Sequence, residues 1–267
     1  MKEFFVRSVS GLLYVALIVF SAYWSNLTLL IVVFVFSSLA LFEFQKLIHH
    51  KSPISFVVFG ILAFQFYNEQ VPPAIHYFLL GLTLTTSLYL TYCLFKEKKL
   101  PSAPYQKSAL SFFYLVGSGY FILATTKLSG LEDNYFTLLM YLLIWTNNSF
   151  AYLFGKNWGK NVLFPSISPK KTWEGFWGGG LVCLAIGLVL MFFTTDFPKW
   201  IFPLLAIVII TTATIGDLIQ SKFKREAKVK DSGSLIPGHG GFFDRMDSVL
   251  YTAPFVYLVL KLSEYVS

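Results

Sequence analysis

The chain has 267 residues and a formal net charge of +7, and it is 55% hydrophobic, 19% aromatic and only 13% charged. So few polar side chains cannot clothe a water-soluble globule of this length, which excludes a soluble enzyme and points to a membrane protein. Nucleic acid is excluded as the partner of the positive charge, because no soluble domain exists to present it to a duplex.

Stretches free of Asp, Glu, Lys and Arg run over 8–24, 27–42, 54–67, 71–95, 108–126, 134–155, 175–195, 200–216 and 248–260. A helix needs roughly 20 residues to cross about 30 Å of hydrocarbon, so several are of spanning length. The 54–67 and 248–260 stretches are short enough to be re-entrant or to gain length from flanking residues. β-barrel strands would be about half as long and would alternate polar with apolar, which these do not. The first stretch follows Lys2 and Arg7 as a signal peptide would, yet it runs to Tyr23 and Trp24 without a small-x-small cleavage site and reads as a retained helix. The expected fold is an all-α polytopic membrane protein of about nine transmembrane helices. Residues 1–107 supply about four spans, and 108–267 supply about five.

If the N-terminus is cytoplasmic and all nine stretches cross, 18 of the 21 basic residues fall on the cytoplasmic side, leaving only Lys127, Lys199 and Lys261 opposite. That positive-inside bias sets the orientation and counts 54–67 as a span. The charge then lies on one face, suited to anionic headgroups or a polyanionic substrate. Cys93 and Cys183 lie inside spans and read as small buried apolar residues. His49, His50 and His76 read as interfacial or packing residues.

Two polar stretches interrupt this pattern. In 154–175, FGKNWGKNVLFPSISPKKTWEG, the hydroxyls and ammonium groups of Ser166, Ser168, Lys170, Lys171 and Thr172 precede a helix start, where phosphate binding is favourable. Glu174 reads as a capping or lysine-pairing residue, and the Gly175-to-Gly179 spacing as a close helix-packing face. In 216–248, GDLIQSKFKREAKVKDSGSLIPGHGGFFDRMDS, Asp217 directly ends a long apolar run, a costly position unless it faces protein, water or a cation. Asp244 and Asp247 open the last span, three apart and so on one helix face. Three carboxylates with no Cys or paired His suit Mg²⁺ rather than zinc. Lys222, Lys224, Arg225, Lys228 and Lys230 lie between them and can hold phosphates, although each alone is also an ordinary inside-loop charge. The 237–241 turn, with its glycines, can bring backbone N–H groups to an anion. No Walker loop and no nucleophile elbow is present. A carboxylate, Mg²⁺ and lysine site at a membrane surface fits phosphoryl or nucleotidyl transfer.

The runs Ser221-Lys222-Phe223-Lys224-Arg225, Lys230-Asp231 and His239-Gly240-Gly241-Phe242-Phe243-Asp244-Arg245-Met246-Asp247 resemble the signature of phosphatidate cytidylyltransferases, or CDP-diacylglycerol synthases. Ala151-Tyr152, Phe154-Gly155-Lys156, Gly159-Lys160 and Ser168-Pro169-Lys170-Lys171-Thr172-Trp173-Glu174-Gly175 resemble the same family. The resemblance covers roughly 145–250; the N-terminal half agrees only in being hydrophobic. It implies conversion of CTP and phosphatidate to CDP-diacylglycerol and pyrophosphate in phospholipid biosynthesis, with Mg²⁺ required and K⁺ often assisting. It also implies a homodimer with a cytoplasm-facing polar cavity in the C-terminal half; the expected location is a bacterial inner membrane, with the N-terminus and active site cytoplasmic. Asp217, Asp244, Asp247 and Lys224 would be catalytic, the three aspartates as metal ligands. Lys222, Arg225, Lys230, Arg245, Tyr152, Lys156 and the Ser168, Lys170, Lys171, Thr172 stretch would bind substrate, with His239, Gly240 and Gly241. Where the family has Asp-Ser-x-Ala-Tyr, this chain has Asn148-Ser149-Phe150-Ala151-Tyr152, so a metal bound there would lose a charge. Asn148 is then either an inactivating substitution that traps substrate or a site where the charge is dispensable. Two rivals share these features: a related CTP-dependent lipid enzyme such as a polyprenol kinase, differing in its lipid groove, and a cation transporter using Asp217 and Asp244. Charges gathered at one face and the absence of an internal repeat weigh against transport.

Overall fold

The computed structural model describes residues 2–127, 134–193, 197–236, 238 and 240–264, with side chains from residue 9 onward. Among the described residues, each of the nine apolar stretches falls on helix. The order is α1 (Lys2–Trp24), α2 (Asn26–Leu47), α3 (Pro53–Tyr67), α4 (Pro73–Phe95), α5 (Pro104–Ala109), α6 (Gly117–Ala124), α7 (Tyr135–Trp158), α8 (Trp173–Phe193), α9 (Ile201–Glu226) and α10 (Phe243–Glu264). A π-helical segment over Leu110–Val116 joins α5 to α6, so the two form one run that continues to Lys127. Local chemistry sets several starts. Ser25 and Thr28 form a reciprocal capping box at α2, each side chain accepting the other's backbone N–H at 3.1 Å. Prolines 53, 73 and 104 occupy first-turn positions, where a missing N–H costs nothing.

Among the described residues, five helical runs, α2, α4, Pro104–Lys127, α8 and α9, are long and apolar enough to cross a membrane. Val9–Trp24 and α3 are apolar but shorter. α7 and α10 have the length, at 24 and 22 residues, but carry the polar residues described below. Leu12, Phe64, Phe78, Leu181 and Phe192 all point outward, an apolar exterior suited to lipid. The centre is the α5–α6 run with α2 and α10 against it; Tyr120, Phe121, Ile122 and Leu123 are fully buried. Phe44 of α2 meets Phe223 of α9 at 5.1 Å and Phe243 of α10 at 5.3 Å between ring centroids.

The all-α expectation holds, with one short sheet added to it. β1 (Val162–Phe164) and β2 (Ser168–Thr172) form an antiparallel hairpin, with Val162 opposite Thr172 and Phe164 opposite Ser168. Pro165 and Pro169 deny this stretch a helix, and Val162 and Phe164 favour extended backbone. The glycine face of α8 packs against α7 as the spacing predicts. A Cβ on Gly175 would lie 2.6 Å from the Ala151 carbonyl oxygen, and one on Gly179 would lie 2.5 Å from that of Asn147. Cys93 and Cys183 are buried and unpaired, as expected. His76 also packs as expected, among Tyr77, Tyr120, Phe121 and Tyr257, and it has a polar partner that the sequence did not reveal, the Tyr120 hydroxyl at 2.8 Å.

The loops that follow α2, α4 and α7, together with α5 and the end of α9, are tied together at one end of the bundle. The Ser166 hydroxyl donates to Glu97 at 2.9 Å, the Leu100 N–H donates to the Glu226 carboxylate at 3.1 Å, and Ser108 Oγ lies 3.0 Å from His50 Nε2. Lys127 lies elsewhere, paired with Glu69 at 3.1 Å.

Candidate active site

The apolar run of α9 breaks at Gly216-Asp217, beside the first turns of α10. Gly216 lets the two helices touch: a Cβ there would lie 2.6 Å from the Tyr251 Cβ and 2.9 Å from the Asp247 carbonyl oxygen. That approach sets Asp217 and Asp247 on the wall of one cavity of about 1080 Å³, near enough for their charges to repel. Asn148, Tyr152 and Lys156 from α7, Ser168, Lys170, Lys171 and Thr172 from the hairpin, and Asp244 and Arg245 from α10 line the same cavity. These eleven residues, scattered over a hundred positions, are ones the sequence singles out. Val15 of α1, Ile144 and Trp145 of α7 and Phe176 of α8 add apolar side chains to the lining.

Within the cavity, Lys171 Nζ lies 2.6 Å from Asp217 Oδ2, and the Ser221 hydroxyl donates to Asp217 Oδ1 at 3.3 Å. Asp247 accepts from the adjacent Ser248 N–H. Asn148 Nδ2 donates to Ser248 Oγ at 3.1 Å, which fixes the amide opposite the head of α10.

Asp244 is held differently. Lys224 Nζ at 2.7 Å and Gln220 Nε2 at 2.9 Å donate to its Oδ1, while Ser232 N, Ser232 Oγ and Gly241 N donate to its Oδ2 at 2.8, 2.9 and 3.0 Å. Its lone pairs are committed to protein donors, and its partner Lys224 is itself only 14% exposed. Gly240, at φ +84°, adopts a left-handed backbone that favours glycine, and a Cβ there would lie 2.8 Å from Asp244 Oδ2. The predicted phosphate-binding glycines 240 and 241 thus shape the loop around Asp244.

Lys222, Arg225 and Lys230 are not among the residues lining the cavity. Lys222 Nζ lies 3.7 Å from Glu226, Arg225 donates to the Ile167 and Val229 carbonyl oxygens at 3.3 and 3.4 Å, and Lys230 is exposed. His239 lies outside the described residues. Glu174 takes the structural role expected of it, accepting from the Lys160 and Asn161 N–H groups across the base of the hairpin at 3.1 and 3.2 Å.

Among the described residues, no three His, Cys, Asp or Glu side chains gather as a metal-holding group. The donor set offered is the Asp217–Asp247 pair facing the cavity, with the Asn148 amide nearby. A pair of cavity-facing carboxylates still fits Mg²⁺, which is commonly held by one or two carboxylates while substrate phosphates and water fill the other positions.

Sequence reasoning missed Glu43, Gln220 and Ser232. Glu43 did leave a signal, since it ends the apolar stretch 27–42 as Asp217 ends 200–216. Gln220 and Ser232 are ordinary loop and helix residues until the fold sets them against Asp244.

Residues 5–263 match the cytidylyltransferase family. The chain is similar to proteins named phosphatidate cytidylyltransferase: one from Staphylococcus epidermidis, 36% identical over 67% of this chain and 68% of that protein, one from Staphylococcus saprophyticus, 40% identical over 54% and 55%, and one from Staphylococcus aureus, 41% identical over 54% and 55%. The matched region thus spans about half the length of the latter two relatives.

Proposed function

The chain belongs to the cytidylyltransferase family, and on that premise we propose that it transfers the cytidylyl group of CTP to phosphatidate, releasing pyrophosphate and forming CDP-diacylglycerol. The observation that carries this reading is the amphiphilic cavity. Its lining combines carboxylate, ammonium and hydroxyl groups with helix-borne aliphatic and aromatic side chains. A nucleotide triphosphate matches the first set, and a lipid phosphate with acyl chains needs both.

In this reaction an oxygen of the lipid phosphate attacks the α-phosphorus of CTP, a new P–O bond forms, and the bond to the β-phosphate breaks. The nucleophile is already ionised, so no strong general base is required, and the chemistry rests on positioning and charge. Lys156, Lys170 and Arg245 offset phosphate charge along the cavity. Lys171 exchanges its contact with Asp217 for a phosphate oxygen when substrate enters. Asp217 and Asp247 would hold Mg²⁺, which when bound neutralises charge on the triphosphate and the leaving pyrophosphate. Asp244 keeps the head of α10 and its loop in place through Lys224.

We place the cavity on the cytoplasmic side, with all nine helical runs crossing the membrane. The gathering of the basic loops at one end of the bundle supports that orientation.

The test is CTP- and Mg²⁺-dependent formation of CDP-diacylglycerol from phosphatidate by the detergent-purified chain, with product expected. No product, from protein that is folded and assayed beside an active control enzyme, overturns the reading. Asn148→Asp, run in parallel, adds a third carboxylate opposite the head of α10. It is expected to lower the Mg²⁺ concentration for half-maximal turnover by about tenfold. An unchanged Mg²⁺ dependence places residue 148 outside the metal's reach.

A further inference from the structure

Glu43 lies on α2, far from every predicted site residue in the sequence, and only 2% of it is exposed. A carboxylate so buried is costly unless donors surround it. Two donors come from the C-terminal region: Phe243 N–H at 2.9 Å, at the first residue of α10, and Ser232 Oγ at 3.3 Å. The Ser232 hydroxyl proton is shared with Asp244 Oδ2, 2.9 Å away, and the Ser232 N–H donates to that same oxygen. Glu43, Ser232 and Asp244 therefore form one chain of contacts ending at the head of α10, three residues before Asp247.

Two glycines make room for this arrangement. A Cβ built on Gly233 or on Gly241 would overlap the Glu43 carboxylate, and neither residue has the positive φ that by itself calls for glycine. What demands glycine at both positions is the carboxylate from α2.

We propose that Glu43 is a positioning residue for the active site. It holds the 231–236 and 240–243 stretches against α2 so that α10 begins where Asp247 lies beside Asp217 on the cavity wall. The N-terminal helices are then part of the site's framework as well as its anchor. The kinetic side of this inference rests on the cytidylyltransferase reading; the structural side does not.

The experiment uses the full chain in detergent, as wild type, Glu43→Ala, Glu43→Gln, Gly233→Ala and the Glu43→Ala/Gly233→Ala double variant. Deuterium uptake is followed over 229–236 and 240–247, beside kcat for CDP-diacylglycerol formation and the melting temperature. Glu43→Ala is expected to raise uptake in those two stretches, and not in α4 or α8, with a fall in kcat. Glu43→Gln, whose amide oxygen still accepts from Phe243 N–H, restores low uptake. Gly233→Ala is expected to reduce kcat about tenfold when Glu43 is present and less than about twofold when it is alanine, because the pair shares one space.

Unchanged uptake in Glu43→Ala, or an equal Gly233→Ala effect in both backgrounds, overturns the proposal. So does a kcat loss that tracks a lowered melting temperature with uptake raised evenly along the chain, since that is the mark of general destabilisation. Should Glu43→Ala not fold, Glu43→Gln against Gly233→Ala decides: normal uptake in the first and raised uptake in the second support the positioning role, and any other pattern refutes it. If the wild type forms no CDP-diacylglycerol, the function fails while the uptake comparison still judges Glu43.

Discussion

Asp217→Asn is expected to reduce turnover by about 10²–10³-fold, equivalent to about 3–4 kcal/mol of transition-state stabilisation, while leaving the protein folded. The substitution keeps the shape and removes the charge. Asp217 sits at the cavity with about a third of its side chain exposed and one close cation, Lys171 at 2.6 Å, itself 26% exposed. An ion pair this open contributes less than about 1 kcal/mol to stability, so the melting temperature should scarcely move. What is lost is the carboxylate that faces Asp247. Initial rates at saturating CTP and phosphatidate over a Mg²⁺ titration, beside a detergent melt, give both numbers. Retention of more than a tenth of the activity removes Asp217 from the metal site.

Asp244→Ala is expected to fail for a different reason. Its carboxylate accepts from Lys224, Gln220, Ser232 and Gly241 and is only 9% exposed. Removing it strands a nearly buried ammonium and several loop donors, a loss of about 3–5 kcal/mol for a broken buried pair. For a chain of this size that is a melting shift of roughly 10 °C, with activity falling alongside as α10 loses its anchor. Adding Lys224→Met to Asp244→Ala should recover part of the stability, since the stranded charge is gone, and little of the activity. A variant that loses turnover at an unchanged melting temperature would instead make Asp244 a direct participant, the role its place in the family motif first suggested.

These two aspartates mark how far a linear reading reaches. The run of uncharged residues ending at Gly216 identified Asp217 as exceptional, and the fold sets it on the cavity wall. Asp244 and Asp247 were equally visible, yet the difference between them was not. It depends on Lys224, Gln220 and Ser232 arriving from other elements, and three-residue spacing on a helix says nothing of what faces either side chain. The helices were legible because apolar stretches of spanning length are long and uninterrupted, and the α7–α8 seam because glycines four apart have one obvious use. The hairpin at 162–172 was missed because its strands are only 3 and 5 residues long, too short for an alternating pattern to register. Basic residues were the least legible: Lys170 and Lys171 line the cavity, whereas Lys222 and Arg225, in a denser run of charge, serve Glu226 and the carbonyl oxygens of Ile167 and Val229.

The link from Glu43 to Phe243 spans 200 residues, and that separation sets a timetable for making the protein. A ribosome adding about 5–20 residues per second takes on the order of 10–40 s to synthesise the partners after α2 has emerged. Throughout that interval α2 carries an acid with nothing to receive it. The nascent helix must keep Glu43 at the aqueous border, protonated, or against an insertion factor until α10 arrives. Chains stalled before residue 232 should therefore be handled by the membrane-insertion machinery as unfinished, however complete their first helices look.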